Sequence, residues 1–113
     1  MSTATIAPPP ASMPLVTAEE FLAKYGDESG VELIKGRVVR LPMPGGRHGV
    51  VCGNAYFLVR EFVKRHDLGW IMSNDTFVRT GEEPDTFRGA DVCFLSYTRL
   101  PKDQAVPDGP IPA

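Results

Sequence analysis

The positions of the prolines set the strongest limit on what this chain can fold into. Eight of its eleven prolines lie in two terminal segments, at Pro8, Pro9, Pro10 and Pro14 and at Pro101, Pro107, Pro110 and Pro112. Proline lacks a backbone N–H and has a fixed φ, so neither segment is expected to build regular helices or sheets. Folding is therefore confined to about 86 residues between them, which is enough for one small domain.

We accordingly expect a disordered leader over residues 1–14, one domain over 15–101, and a proline-rich loop or tail over 102–113. No apolar run approaches the ~20 residues that span a bilayer, and the N-terminus lacks the basic and apolar regions of a signal peptide. A transmembrane protein is thereby excluded, and a secreted one is not expected. Cys52 and Cys93 belong to no paired motif, which argues against disulfides and zinc and predicts core packing in a reducing cytoplasm.

Two short elements are predicted at the start of the domain. Thr17 and Glu20 have the spacing of a capping box, which begins a short amphipathic helix that Gly26 ends. The β-rich runs 31–34 and 37–41 flank Lys35-Gly36, which predicts a tight hairpin because glycine adopts the positive φ of such turns.

A long helix is predicted from His48 to His66. Val51, Ala55, Leu58 and Phe62 recur at helical spacing and are expected to face the core, with Phe57, Val59 and Val63 widening this apolar surface. Gly53 costs about 1 kcal/mol relative to alanine in a helix, which suggests close packing of the helix on a sheet at that point.

Further strands are predicted downstream of the helix. Residues 68–72 and 76–79 are expected to pair with each other across a turn at Ser73-Asn74-Asp75, and residues 90–95 form a nearly continuous apolar strand. The order of elements indicates an α/β domain, with some α+β character, in which a long helix packs on a mixed sheet.

Charge is unevenly distributed. Between Lys35 and His66 there are seven basic residues and a single acid, Glu61, whereas the rest of the chain is acidic. Arg47 and His48 lie at the predicted helix N-terminus, where backbone amides favour phosphate, and Arg60 and Lys64 share one face of the helix. These four residues are our candidates for nucleic-acid binding, although a solvated basic face without a ligand would carry the same pattern.

Two acids stand within apolar strands. Asp91 interrupts the strand 90–95, and Glu32 interrupts the first strand of the hairpin. A buried carboxylate needs a partner, and a hard cation such as Mg²⁺ satisfies one or two of them. Taken singly, each acid is more simply explained as a structural residue at a strand surface. Together with the basic segment they favour metal-dependent phosphodiester chemistry.

The order of these motifs resembles the Uma family of restriction-endonuclease-like proteins, in the PD-(D/E)XK nuclease superfamily. The matching stretches are 17–22, 31–39, 42–44 followed by His48, and 88–95 followed by 99–101. The resemblance implies a restriction-endonuclease-like fold, cytoplasmic DNA cleavage, and Mg²⁺ or Mn²⁺ as cofactor. It places Asp91 on the family's metal-binding aspartate and Glu32 on the glutamate of its first strand, as catalytic and metal-binding residues. His48 matches a histidine at the start of the long helix.

The chain departs from the family pattern in three places. Ala90 stands where a proline usually precedes the aspartate, and Lys35 stands where an acid often precedes the hairpin glycine. In the family, the proline-rich loop is followed by a strand with a second acid and a helix with a lysine. The present sequence ends at Ala113, before the positions of either element. From this we expect an incomplete domain that is inactive alone and assembles with another chain, for example as a homodimer.

Three functional interpretations remain open on the sequence. The first is an endonuclease-like protein that retains Asp91 and Glu32 as part of its site. The second is a binding module for nucleic acid or protein that uses the basic helix without catalysis. The third is a decayed product without function. A strong, salt-dependent affinity for DNA would separate the second from the third.

Overall fold

The computed structural model describes residues 14–112, which form two helices and a five-stranded mixed sheet. In chain order the elements are α1 (Ala18–Tyr25), β1 (Val31–Ile34), β2 (Arg37–Arg40), α2 (Gly46–His66), β3 (Gly69–Gly81), β4 (Thr86–Ser96) and β5 (Ile111–Pro112). The strands lie in the order β2-β1-β4-β3-β5, with all neighbours antiparallel except β3 and β5. The predicted α/β class with a mixed sheet and a long helix is confirmed.

Helix α1 begins where the capping box predicted. The hydroxyl of Thr17 accepts a hydrogen bond from the Glu20 amide, and the Glu20 carboxylate accepts one from the Thr17 amide. A third acceptor comes from far along the chain, because Asp85 Oδ2 lies 2.8 Å from the amide nitrogen of Ala18. The helix ends at Gly26, whose amide donates to the carbonyl of Leu22. Local sequence thus determines both ends of α1, and the β3–β4 turn fixes its position.

The predicted hairpin is also confirmed. Lys35 and Gly36 both have positive φ, at 49° and 76°, which is the conformation of a two-residue hairpin turn that matches strand twist. A side chain at Gly36 would meet Leu15, whose Cβ lies 2.9 Å from the position of an added Cβ. Glycine is therefore required there for space as well as for φ.

The buried core lies between α1 and the sheet. Phe21 of α1 packs against Phe77 and Phe87, with ring centroids 5.7 and 6.0 Å apart, and Val31 and Leu33 of β1 complete the cluster. Leu33 and Phe87 are opposite one another in the register of β1 and β4, so they share a sheet face. Burial of these side chains contributes about 1.5–3 kcal/mol each and holds the β1–β2 hairpin on β4.

Residues 69–81 form one strand, so the predicted turn at Ser73-Asn74-Asp75 is wrong. The strand β3 runs through this segment and pairs with β4 on both sides of it, from Gly69↔Ser96 to Gly81↔Thr86. Asn74 and Asp75 take positive φ, at 59° and 58°, and form a bulge between Ser73 and Thr76. The sequence did show two residues that tolerate left-handed backbone, but here they bend a strand and do not reverse it.

Helix α2 packs on the sheet more loosely than its apolar spacing predicted. Of its residues, Val63 is buried, whereas Val51, Leu58 and Phe62 are exposed, the last to 57% of its surface. Nothing lies within 4 Å of a Cβ added at Gly53, so the prediction of close packing at that glycine is also wrong. The apolar stripe expected to face the core therefore faces away from the sheet over much of the helix.

Alternation along β4 places both helices on one sheet face. Phe87, which contacts α1, and Asp91, which contacts α2, lie four residues apart and so point to the same side. In the segment predicted as a loop or tail, β5 pairs in parallel with β3 at Val78↔Ile111. The predicted leader lies outside the described residues, apart from Pro14. Neither helix within residues 14–112 combines the length and apolar character needed to cross a membrane.

Candidate metal centre

Three titratable side chains converge where α2 begins. His48 lies in the first turn of α2 and Cys52 follows four residues later, so that both project from one side of the helix. Asp91 reaches them from the middle of β4. His48 Nε2 lies 3.3 Å from Asp91 Oδ2 and 3.3 Å from Cys52 Sγ, and the three possible ligand atoms lie within 4.8 Å of one another. We call this group the HCD cluster.

The bulge in β3 lies directly beside the HCD cluster. Ser73 pairs with Val92 and Thr76 pairs with Ala90, which leaves Asn74 and Asp75 opposite Asp91. Bulges of this kind locally increase strand twist and re-aim side chains. The extra residue in β3 therefore alters the sheet at the one strand position that carries the predicted catalytic aspartate.

The electrostatic environment of the HCD cluster is negative. Burial raises the pKa of the Cys52 thiol, and the Asp91 carboxylate raises it further through its charge and through a hydrogen bond. The charge of Asp75 acts in the same direction. The carboxylates of Asp91 and Asp75 thus both disfavour the thiolate form of Cys52 in the absence of a cation.

The contacts of His48 distinguish this cluster from a nucleophilic triad. In a Cys-His-Asp triad the thiol and the carboxylate bind opposite nitrogens of the imidazole, so that the base is oriented from behind. Here both Cys52 and Asp91 approach the same atom, Nε2 of His48. The raised pKa of the thiol also disfavours a thiolate nucleophile. The N, S and O atoms of these three side chains lie close enough together that they could hold a metal ion.

Glu32 is buried and has protein partners. It is only 4% exposed, its Oε1 accepts from Arg88 Nε at 2.7 Å, and its Oε2 accepts from the Gly89 amide at 2.8 Å. Among the described residues it is not in the group that can hold a metal. Both of its carboxylate oxygens instead stabilise β4 two to three residues before Asp91.

The candidate nucleic-acid residues do not form one patch. Arg47 adjoins His48, a member of the HCD cluster, and both lie in a first turn of α2 without acidic residues. Arg60 and Lys64 are exposed near the other end of the helix, roughly 18–24 Å along its axis from His48 at 1.5 Å per residue. Glu61 and Arg65, four residues apart on the helix, form an ion pair at 2.8 Å. Glu61 thus offsets part of the positive charge of this surface.

Comparison with known proteins identifies the family. A sequence profile of the Uma2 family, described as "Putative restriction endonuclease", matches residues 18–113. The chain belongs to the Uma2 family. The match covers α1, the whole sheet and α2, and so includes every residue of the HCD cluster. Among curated proteins, no match to the chain was found.

Membership of the Uma2 family supports a nuclease-like function, and the family resemblance had already singled out Asp91 and His48. Sequence reasoning missed Cys52, which was expected to pack in the core but lies partly buried against His48. The signal that could have found it was its spacing, because residues four apart on a helix share a face. The spacing alone does not indicate a metal site, because the third possible ligand, Asp91, comes from a strand far along the chain.

Proposed function

We propose that this protein is a divalent-metal-dependent nuclease domain that acts on DNA phosphodiesters in the cytoplasm, with Asp91 as its metal-binding carboxylate. The observation that carries the proposal is the contact between Asp91 and His48 at the N-terminus of α2, in a chain of the Uma2 family. The side chain of Asp91 is 50% exposed, so a phosphate group has access to it.

The residues of this chain would have distinct roles. Asp91 and His48 would hold the cation, and Arg47 in the same helical turn would bind a neighbouring phosphate through its guanidinium group. Glu32 is proposed as a positioning residue, because its hydrogen bond to the Gly89 amide fixes β4 just before Asp91. The free thiols of Cys52 and Cys93 agree with a reducing compartment.

A divalent cation bound at such a site polarises the phosphoryl oxygen and lowers the pKa of a bound water. The ligand atoms present, however, do not suit Mg²⁺. Magnesium requires oxygen ligands in near-octahedral geometry, and the HCD cluster offers one carboxylate oxygen beside a nitrogen and a sulfur. Mn²⁺, the other ion implied by the resemblance, tolerates imidazole better. We assign no step of hydrolysis to Mg²⁺ at these residues.

Cleavage by this chain is expected to be slow or undetectable. Among residues 14–112, Asp91 is the one carboxylate in the group of side chains that could hold a metal. The family resemblance implies a second acid and a lysine at the complete site. We therefore propose weak catalysis at most by this chain, with binding of metal and DNA retained.

The test is nicking of supercoiled plasmid at an excess of protein over DNA, with Mg²⁺ or Mn²⁺, alongside measurement of DNA binding by fluorescence anisotropy. We expect any nicking to require the cation and to disappear in Asp91→Asn. The matched control is Asp103→Asn, an exposed aspartate in the loop after β4. Equal nicking by wild type and Asp91→Asn, or no DNA binding by wild type under any condition, would overturn the proposal.

A non-catalytic nucleic-acid-binding module is the second candidate. It is favoured by the exposure of Arg60 and Lys64 far from the HCD cluster, since this surface needs no metal. The double variant Arg60→Glu with Lys64→Glu is expected to weaken DNA binding. It should also reduce the slope of log K against log salt by ~0.9 for each phosphate that the variant no longer neutralises. If DNA binding survives Asp91→Asn but not this change, the binding-module function is preferred.

A further inference from the structure

The ligand atoms of the HCD cluster point to a class of metal different from the one that the family resemblance implies. An imidazole nitrogen and a thiol sulfur are two of the three ligand atoms, and the third is a single carboxylate oxygen. Imidazole and thiolate favour Zn²⁺ and related transition metals, whereas Mg²⁺ is held by oxygen. The ligand atoms of His48, Cys52 and Asp91 therefore do not match the Mg²⁺ that the family resemblance implies.

We infer that His48, Cys52 and Asp91 form a three-ligand site for a thiophilic divalent cation, with Zn²⁺ bound in preference to Mg²⁺. This deepens the proposed function, on whose metal dependence it rests, by naming the class of cation that Asp91 holds. The residue that sets the preference is Cys52.

The spacing of the ligand atoms agrees with a tetrahedral zinc site. Zinc bonds of about 2.0–2.3 Å at tetrahedral angles separate neighbouring ligand atoms by about 3.4–3.6 Å. In the structure, His48 Nε2 lies 3.3 Å from Asp91 Oδ2 and 3.3 Å from Cys52 Sγ. The third pair, Cys52 Sγ and an Asp91 carboxylate oxygen, lies within 4.8 Å, so binding of the ion is expected to draw the side chains together.

Binding of Zn²⁺ at this site can be written with charges and protons in balance. Binding of Zn²⁺ displaces the proton of the Cys52 thiol to solvent and forms a Zn–S bond, without any change in oxidation state. The resulting thiolate and one carboxylate together offset the two positive charges of the cation. Asp75, whose charge already acts on Cys52, adds further attraction.

The number of protein ligands distinguishes this site from a structural zinc site. Structural sites are closed by four protein ligands, whereas catalytic sites keep three and leave the fourth position for water or substrate. The HCD cluster has three, and Asp91 is half exposed. The fourth position would therefore face solvent, where it can accept water or a phosphate oxygen.

Cobalt provides the test, because Co²⁺ replaces Zn²⁺ and gives a near-ultraviolet charge-transfer band when a thiolate is bound. The full chain, freed of metal with a chelator, is titrated with Co²⁺ and then with Zn²⁺ or Mg²⁺. The variants are Cys52→Ser and, as matched control, Cys93→Ser, which removes the other free thiol of the described chain. Urea unfolding of each variant verifies that it is folded.

Wild type and Cys93→Ser are expected to show the band, and Zn²⁺ but not excess Mg²⁺ should abolish it. Cys52→Ser should lack the band and bind Zn²⁺ more than about 10-fold more weakly in calorimetry, since even residues outside direct metal contact contribute about 10- to 100-fold. A band that persists in Cys52→Ser, disappears in Cys93→Ser, or yields to Mg²⁺ overturns the inference.

These readouts need no DNA, which separates this inference from the proposed function. If Zn²⁺ binds through Cys52 but the chain neither binds nor nicks DNA, the proposed hydrolysis fails and the thiophilic site stands. If Asp91-dependent nicking occurs with Mg²⁺ and wild type shows no thiolate band, the site assignment fails and the nuclease function stands.

Discussion

Replacement of Glu32 by alanine tests whether this buried acid stabilises the fold or serves the metal site. The change removes two hydrogen bonds to a charged acceptor, from Arg88 and from the Gly89 amide. The side chain of Arg88 is 54% exposed, so water can replace most of the hydrogen bonding that Arg88 loses with Glu32. The Gly89 amide is left without its acceptor, and together with the lost charged bond we expect unfolding to become about 2–4 kcal/mol easier.

The measurement is urea unfolding followed by the fluorescence of Trp70, the only tryptophan in the sequence. Glu32→Gln retains one oxygen acceptor, so it should lose about 1 kcal/mol, and Asp103→Ala on an exposed loop should stay within about 0.5 kcal/mol of wild type. A loss below about 1 kcal/mol for Glu32→Ala would refute the structural role. If the variants of Glu32 that remove its charge are more stable than wild type, Glu32 is instead a functional residue that lowers the stability of the fold.

Three further predictions follow from the fold. Asp85 accepts a hydrogen bond from the Ala18 amide, and this bond lowers the pKa of the Asp85 carboxyl. The stabilisation by Asp85 is therefore fully present above the unfolded pKa of 3.8 and is lost as the pH falls through the lower pKa of the folded state. Acid titration of Asp85→Asn should lack that part of the stability loss. Phe21→Ala should lower stability by about 3–5 kcal/mol in urea unfolding, because the ring is fully buried. Leu58→Lys with Phe62→Lys should abolish any homodimer in sedimentation experiments without loss of stability, since both side chains are exposed.

Local sequence was sufficient for the elements that interact mainly with themselves. The capping box at Thr17 and the Lys35-Gly36 turn were predicted from a few neighbouring residues, because each depends on backbone preferences that tertiary contacts do not override. The long helix was predicted to within two residues of its start for the same reason. Its buried face was not, because periodicity shows that a stripe is apolar and not what covers it.

The bulge at Asn74 and Asp75 shows where local signals become ambiguous. Left-handed backbone at two adjacent residues serves a hairpin turn or a two-residue bulge equally well. Which of the two forms depends on whether a partner strand is present on both sides, and β4 supplies it here. The two-residue strand β5 likewise depends on β3, since it has no pattern of its own.

The candidate site divides along the same line. The sequence determined that Asp91 stands in an apolar strand, that His48 begins a long helix, and that basic residues surround that helix, because these are properties of short segments. The tertiary structure decided that Asp91 meets His48 and Cys52 while Glu32 is held by Arg88 and Gly89. A metal site needs three ligand atoms within a few ångströms, and only the packing of α2 on β4 brings together residues about 40 positions apart.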